Sequence, residues 1–268
     1  MNGLHTLNLR DGLFTVHYYR HGKGAALVYL HGAGGLPAFT PDLELLSQQF
    51  AVTAPLHPGF GSTGEDHLHD EVLKFTLHTW DVLNALGIAE PILVGHSLGG
   101  MLAAEMATIE PRRVKKLVLI GATGLWLDDC PSADFFAMTP EELVNAVFSD
   151  PASELAQAFL SMPQNQQAAN EVMIQRLKGF ATAARFLWPL PDRGLGERLY
   201  RIKAPTLLLW GEDDKIVPPR YAQAFRTLLT GSEEVKIVTI PRAGHLPLLE
   251  QTRATTKAVF EFCLDWTS

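Results

Sequence analysis

The chain has 268 residues, 47% of them hydrophobic and 19% charged, a balance that suits a folded globular protein and excludes an extended disordered one. At roughly 150 residues per domain the length suggests about two units, although one large α/β domain carrying an insertion fits it equally well. Lys and Arg number 22 against 29 Asp and Glu, and the net charge of −7 opposes a sequence-independent grip on nucleic-acid phosphates or anionic lipid. Neither nucleic acid nor a membrane is therefore expected as a partner. The first twenty or so residues lack the basic and apolar regions of a secretory signal, and no apolar run approaches the roughly 18 residues of a membrane helix. Cys130 and Cys263 lie far apart, without C-x-x-C or metal-type spacing. They read as reduced thiols, and the location expected is cytoplasmic.

In chain order, short β-rich runs alternate with longer amphipathic stretches, which predicts strands and helices built around a mostly parallel sheet. The predicted strands are Phe14–Tyr19, Ala26–Leu30, Ala51–Ala54, Pro91–Val94, Lys116–Ile120, Thr206–Trp210 and Lys236–Ile240. Several are almost wholly apolar, as strands covered on both faces are. The predicted helices are Pro41–Gln49, His67–Leu86, Leu98–Ile109, Pro219–Leu229 and Thr252–Trp266. Pro41 and Pro219 suit a first helical turn. Val72, Phe75, Leu83 and Leu86 share one helical face, and Gly87 suits a left-handed stop. The stretch 123–203 breaks the alternation: helix-like segments Glu141–Phe148, Ser153–Leu160 and Asn170–Phe180 occur with no strand signal. It reads as a helical insertion into a core made of residues 1–122 and 204–268.

The chemistry starts at Val94-Gly95-His96-Ser97-Leu98-Gly99-Gly100, a G-x-S-x-G placed after a predicted strand and before a predicted helix. A serine lifted on so sharp a turn has strained backbone angles and crowded neighbours, so the residues two before and two after it must be small. The helix that follows aims its N–H groups and positive dipole end at the anion formed on attack. A hydroxyl needs a base, and a neutral imidazole needs a carboxylate to fix its tautomer. Both requirements are met downstream, at His245 after the strand ending at Ile240 and at Glu212, Asp213 or Asp214 after Trp210. Upstream, His31-Gly32-Ala33-Gly34-Gly35 offers main-chain N–H groups to an oxyanion. It lacks the spacing of a nucleotide-binding loop.

These motifs, with Pro58-Gly59-Phe60-Gly61-Ser62 and Val217-Pro218, resemble in order and spacing the α/β-hydrolase superfamily over nearly the whole chain. The resemblance implies an eight-stranded, mostly parallel sheet with a helical cap inserted after the sixth strand. It also implies Ser97 as nucleophile, His245 as base, Asp214 as acid, and the N–H groups of Ala33 and Leu98 as the oxyanion hole. Asp214 is chosen over Asp213 because the family's acid lies three residues after the glycine ending the strand; Glu212 and Asp213 then read as solvated loop acids.

Two departures stand out. Leu56 replaces the aspartate that many relatives carry two residues before the loop proline, and the neighbouring His57 reads as bonded to backbone, with substrate contact as the alternative. Carbon–carbon bond hydrolases of the superfamily often place a tryptophan directly after the catalytic histidine, where this chain has Leu246. His67, His69 and His78, near Asp66, Asp70 and Glu71, lack a third metal ligand at suitable spacing and read as a solvated helix face. The expected activity is hydrolysis of a small-molecule carboxylic ester through an acyl-enzyme, without cofactor or metal, by a monomer or homodimer. Lactone, amide or carbon–carbon bond cleavage on the same triad is the alternative, and a ligand receptor with a hydrolase shell is the alternative of another class.

Overall fold

A computed structural model describes residues 3–61, 63, 71–188, 190 and 192–264. Strands β1 (Leu4–Leu9), β2 (Phe14–His21), β3 (Ala25–Leu30), β4 (Phe50–Pro55), β5 (Ile92–His96), β6 (Lys116–Ile120), β7 (Thr206–Gly211) and β8 (Val235–Ile240) form one sheet. Their order across it is β1-β2-β4-β3-β5-β6-β7-β8. The pairs β1–β2 and β2–β4 are antiparallel, and every other pair is parallel. Helices α1 (Pro41–Leu46), α2 (Val72–Ala85), α3 (Leu98–Ile109), α4 (Pro140–Val147), α5 (Glu154–Leu160), α6 (Gln166–Leu187), α7 (Arg220–Leu228), α8 (Pro247–Glu250) and α9 (Thr252–Cys263), with short 3-10 turns at Phe135–Ala137 and Leu199–Arg201, complete the described elements. This is the mostly parallel, helix-flanked sheet that the alternating pattern predicts.

The central strands are apolar along most of their length because both of their faces are covered. Val28, Leu30, Leu93, Leu117, Leu119 and Leu208 point into one core with α2, α3 and α7. Leu27, Tyr29, Ile92, Val94, Val118, Ile120 and Leu207 point into the other with α1 and α9. Successive side chains of a strand face opposite ways, so a strand between two helix layers must be apolar at every position.

Sequence pattern and structure differ mainly at the margins. β1 was not among the predicted strands; it lies at the sheet edge with four of its six side chains exposed, so burial leaves no alternation in its sequence. Short α8 was also missed. Helix α6 is longer than the predicted Asn170–Phe180, starting where the Asn165 side chain accepts the Ala168 N–H. Pro219 stands at the N-cap of α7 and not inside its first turn. Gly87 does end α2 at φ +71°, with N–H bonds from Gly87 to Asn84 O and from Ile88 to Leu83 O. The predicted beginning of that helix at His67, the end of the last helix at Trp266, and Ser62, Pro189 and Pro191 lie outside the described residues.

Residues 123–203 enter between β6 and β7, and their described part contains α4, α5 and α6 but no strand. Thr139 and Glu142 form a reciprocal capping box that starts α4. The C-terminal part of α6 packs onto α2 through Phe186 stacked on Phe75, ring centroids 4.4 Å apart. The chain returns to the sheet beside α3, where the Arg198 guanidinium forks onto the buried carboxylate of Glu105 at 2.5 and 3.2 Å. No described helix is long and apolar enough to cross a membrane.

Candidate active site

Because β3, β5, β7 and β8 run parallel, the loops leaving their carboxyl ends gather at one edge of the sheet. At the end of β5 the chain turns sharply into α3, and Ser97 at the turn has φ +54° and ψ −116°, backbone angles costly for a residue with a side chain. The flanking glycines are demanded by contact. A Cβ on Gly95 would lie 2.2 Å from the Gly99 carbonyl oxygen, and one on Gly99 would lie 2.0 Å from that of Leu30.

Ser97, Asp214 and His245 are brought together and are buried to 3%, 3% and 6% exposure. The Ser97 hydroxyl lies 2.9 Å from His245 Nε2, and His245 Nδ1 lies 2.8 Å from Asp214 Oδ2. A carboxylate oxygen only accepts, so Nδ1 carries the proton and donates it to Asp214, leaving Nε2 as an acceptor for the serine hydroxyl. The other oxygen of Asp214 accepts the N–H groups of Ile216 and Val217, each at 2.9 Å, which hold the carboxylate in place. Asp213 is exposed and instead accepts the Ser149 hydroxyl at 2.5 Å. Geometry thus separates the adjacent aspartates: Asp214 faces His245 and its neighbour does not.

The loop after β3 lies against the serine, since a Cβ on Gly32 would stand 3.2 Å from Ser97 Cβ. Ala33 is in this loop and Leu98 is the first residue of α3, whose leading N–H groups have no acceptor within the helix. Above the loop passes α6: a Cβ on Gly179 would lie 3.2 Å from the Phe60 ring and 3.5 Å from the Ala33 carbonyl oxygen.

Three further histidines surround the site; sequence reasoning assigned a backbone bond to His57 and no contact to His31 or His96. His96 Nε2 donates to the His245 carbonyl at 2.7 Å. Burial, with the neighbouring His245 next in weight, pushes His96 down to about 3, so it stays neutral. His31 Nε2 accepts the His57 N–H at 3.1 Å, so its Nδ1 must donate to the Gly32 carbonyl at 2.8 Å. Burial lowers His31 to about 4, against that backbone bond. His57 donates from Nε2 to the His31 carbonyl at 2.9 Å and is buried, consistent with the backbone-bonded reading and not with the substrate-contact one. Burial, followed by the repulsion of His31, holds it well below the ordinary histidine value. His78 corrects an expectation: it is buried on α2 with its ring edge-on to Phe14, not on a solvated face. His67 and His69 lie outside the described residues.

The arrangement pairs an activated hydroxyl with a relayed base and a helix N-terminus, the parts needed to attack a carbonyl carbon and stabilise the anion that results. Residues 27–258 match the model of the alpha/beta hydrolase family. The chain is 28% identical to a 2-hydroxy-6-oxo-6-phenylhexa-2,4-dienoate hydrolase of Burkholderia cepacia, over 93% of this chain and 91% of that one. It is 30% identical to a 2-hydroxy-6-oxononadienedioate/2-hydroxy-6-oxononatrienedioate hydrolase of Burkholderia vietnamiensis strain G4, over 92% and 90%. Among solved structures, a meta-cleavage product hydrolase from Pseudomonas fluorescens IP01 superimposes with a TM-score of 0.74 at 22% identity, covering 97% of each chain. Fold, elbow and matched residues agree, and the chain belongs to the alpha/beta hydrolase family.

Proposed function

We propose that this protein is a serine hydrolase in which Ser97 attacks a carbonyl carbon, and that its substrate is a 2-hydroxy-6-oxodienoate of the class in its relatives' names, cleaved at the carbon–carbon bond beside the 6-oxo group. The observation that carries the reaction is the unbroken line from Asp214 through His245 to the Ser97 hydroxyl, at 2.8 and 2.9 Å. Similarity over nine-tenths of both chains to two such hydrolases supports the substrate class.

As Ser97 Oγ bonds to the carbonyl carbon, His245 Nε2 takes its proton and the oxyanion turns toward the N–H groups of Ala33 and Leu98. Cleavage requires the 2-hydroxydiene first to tautomerise to its 2-oxo form, the hydroxyl losing its proton and C5 gaining one. When the tetrahedral species then collapses, the C5–C6 bond breaks, its electron pair passes through the C3–C4 double bond into the 2-oxo group, and the resulting dienolate receives the proton from His245. Water, activated by the same imidazole, then attacks the acyl-Ser97 ester and frees a carboxylic acid.

Cleavage of a carboxylic ester is the second reading, favoured by Leu246. Carbon–carbon bond hydrolases often carry a tryptophan at this position, whereas Leu246 is a half-buried aliphatic side chain packed against the core. A substrate panel separates the two: 2-hydroxy-6-oxodienoates followed by loss of their conjugated absorbance, and p-nitrophenyl esters from acetyl to palmitoyl. The first reading expects kcat/KM for the best dienoate to exceed that for the best ester by about 10-fold or more, a difference of about 1.4 kcal/mol in barrier. A higher value for the esters overturns it in favour of the second. In either case Ser97→Ala should lower turnover by about 10³-fold or more; near-normal turnover by that variant overturns the triad itself.

A further inference from the structure

Behind His245, the histidine loop, the acid loop and the end of α4 with the residues just after it are bonded into one ring. His245 N–H donates to the Val147 carbonyl at 2.7 Å, so the histidine's main chain is tied to the inserted stretch and not only to its own strand. One residue earlier, the Gly244 N–H donates to Glu250 Oε1 at 2.8 Å, and the other oxygen of the same carboxylate accepts the Ser149 N–H at 2.8 Å. The Ser149 hydroxyl continues to Asp213, whose N–H returns to the Ala243 carbonyl at 2.9 Å. Gly244 and Ser149 therefore present two donors to one half-buried space. Two donors cannot satisfy each other, and a carboxylate with one oxygen for each is the side chain that satisfies both. Burial raises the Glu250 carboxyl above its ordinary value, opposed first by the N–H bonds it accepts from Ser149 and Gly244.

We propose that Glu250 is a positioning residue for hydrolysis: its two carboxylate oxygens fasten the segment Val147–Ser149 to the histidine loop and so hold His245 Nε2 on the Ser97 hydroxyl. The Glu250 carboxylate bonds to the main chain of Gly244 and Ser149, and so acts on the imidazole through the backbone on which it is mounted. The same fastening makes the α4 end of the insertion part of the catalytic framework, so movement of the insertion about this point would displace the base. This inference rests on the reading of Ser97, His245 and Asp214 as the reacting triad.

The test uses Glu250→Gln, which keeps the shape but turns an N–H group toward one of the two donors. Three quantities are read: thermal unfolding, steady-state kinetics on the best substrate of the panel, and the rate at which a fluorophosphonate probe labels Ser97. The expected result is a folded variant whose kcat per labelled site falls by about tenfold with KM within about twofold, and whose labelling slows in proportion. A residue that only supports the fold would lower the melting temperature or the number of sites and leave the labelling rate per site unchanged; that result overturns the proposal. Failure of the unmodified protein to label would instead overturn the triad reading, so the two failures are distinct. Amide hydrogen exchange of the unmodified chain does not depend on a variant folding. Gly244 and Ser149, bound to one carboxylate, should show protection within about threefold of each other. Strong protection of one without the other overturns the fastening.

Discussion

At the scale of single residues, the site depends on which oxygen or nitrogen carries a proton. Asp214 holds His245 in the tautomer whose Nε2 can accept, and it is itself held by the Ile216 and Val217 N–H groups. Asp214→Asn presents an amide that cannot accept in the same way on both sides, which disfavours that tautomer; kcat should fall by about 10⁴-fold. Asp213→Asn serves as the contrast, since that carboxylate meets Ser149 and not the imidazole. Its kcat should stay within about tenfold of the parent, corresponding to about 1.4 kcal/mol or less. Steady-state kinetics on the two variants checks the assignment, and equal losses would contradict it. Sequence spacing alone left three acidic residues open at this loop. The family pattern selected Asp214, and the hydrogen bonds set the two aspartates apart: Asp214 meets the imidazole and Asp213 meets the Ser149 hydroxyl.

At the scale of elements, α6 is the part of residues 123–203 that passes over the loop after β3, while the end of α4 meets the histidine loop. Gly179 of α6 faces the Phe60 ring and the Ala33 carbonyl so closely that a Cβ would press on the ring at 3.2 Å, leaving little space for a larger side chain, although glycine in a helix interior costs about 1 kcal/mol relative to alanine. Close passage over the loop after β3 is the reason it is there. Gly179→Leu should destabilise the protein by about 1–3 kcal/mol through overpacking, measured by denaturant unfolding, and should lower kcat/KM more for bulky acyl groups than for acetyl. An unchanged unfolding midpoint would place α6 farther from Phe60. Helix α6 was only partly legible because its first turn pairs the exposed Gln166 and Gln167 with two small alanines, so hydrophobic periodicity begins later than the helix does. The signal that could have found its start is Asn165, a capping residue. For α4 the equivalent signal was plainer, Thr139 with Glu142 three residues on.

For the whole molecule, three buried histidines set a pH dependence of stability. His31 is lowered to about 4, His96 to about 3, and His57 well below the ordinary value near 6.5. Between about 6.5 and 4 the unfolded chain binds protons at these positions and the folded chain does not, so stability rises with pH in that window and is lost as pH falls. Each group adds a slope of up to about 1.4 kcal/mol per pH unit. The melting temperature should therefore fall steeply on acidification from about pH 6.5 to about pH 4. His96→Asn should flatten the slope by about one proton. A parent protein whose melting temperature is level across that window would contradict the neutral state assigned to these rings.

Apart from edge strand β1 and short α8, the strand and helix order, the serine elbow and the two-sided core were legible in the amino-acid order because each leaves a local mark. Ser97 needs Gly95 and Gly99 within two residues of it, and a strand between two helix layers must be apolar along its length. Folding decided what no local rule governs. His245 is bonded at its main chain to Val147, and the Gly244 and Ser149 amides share Glu250. Backbone N–H and C=O groups are the same in nearly every residue, so such contacts leave no trace in sequence. Only the three-dimensional path of the chain brings these donors and acceptors within reach of one another.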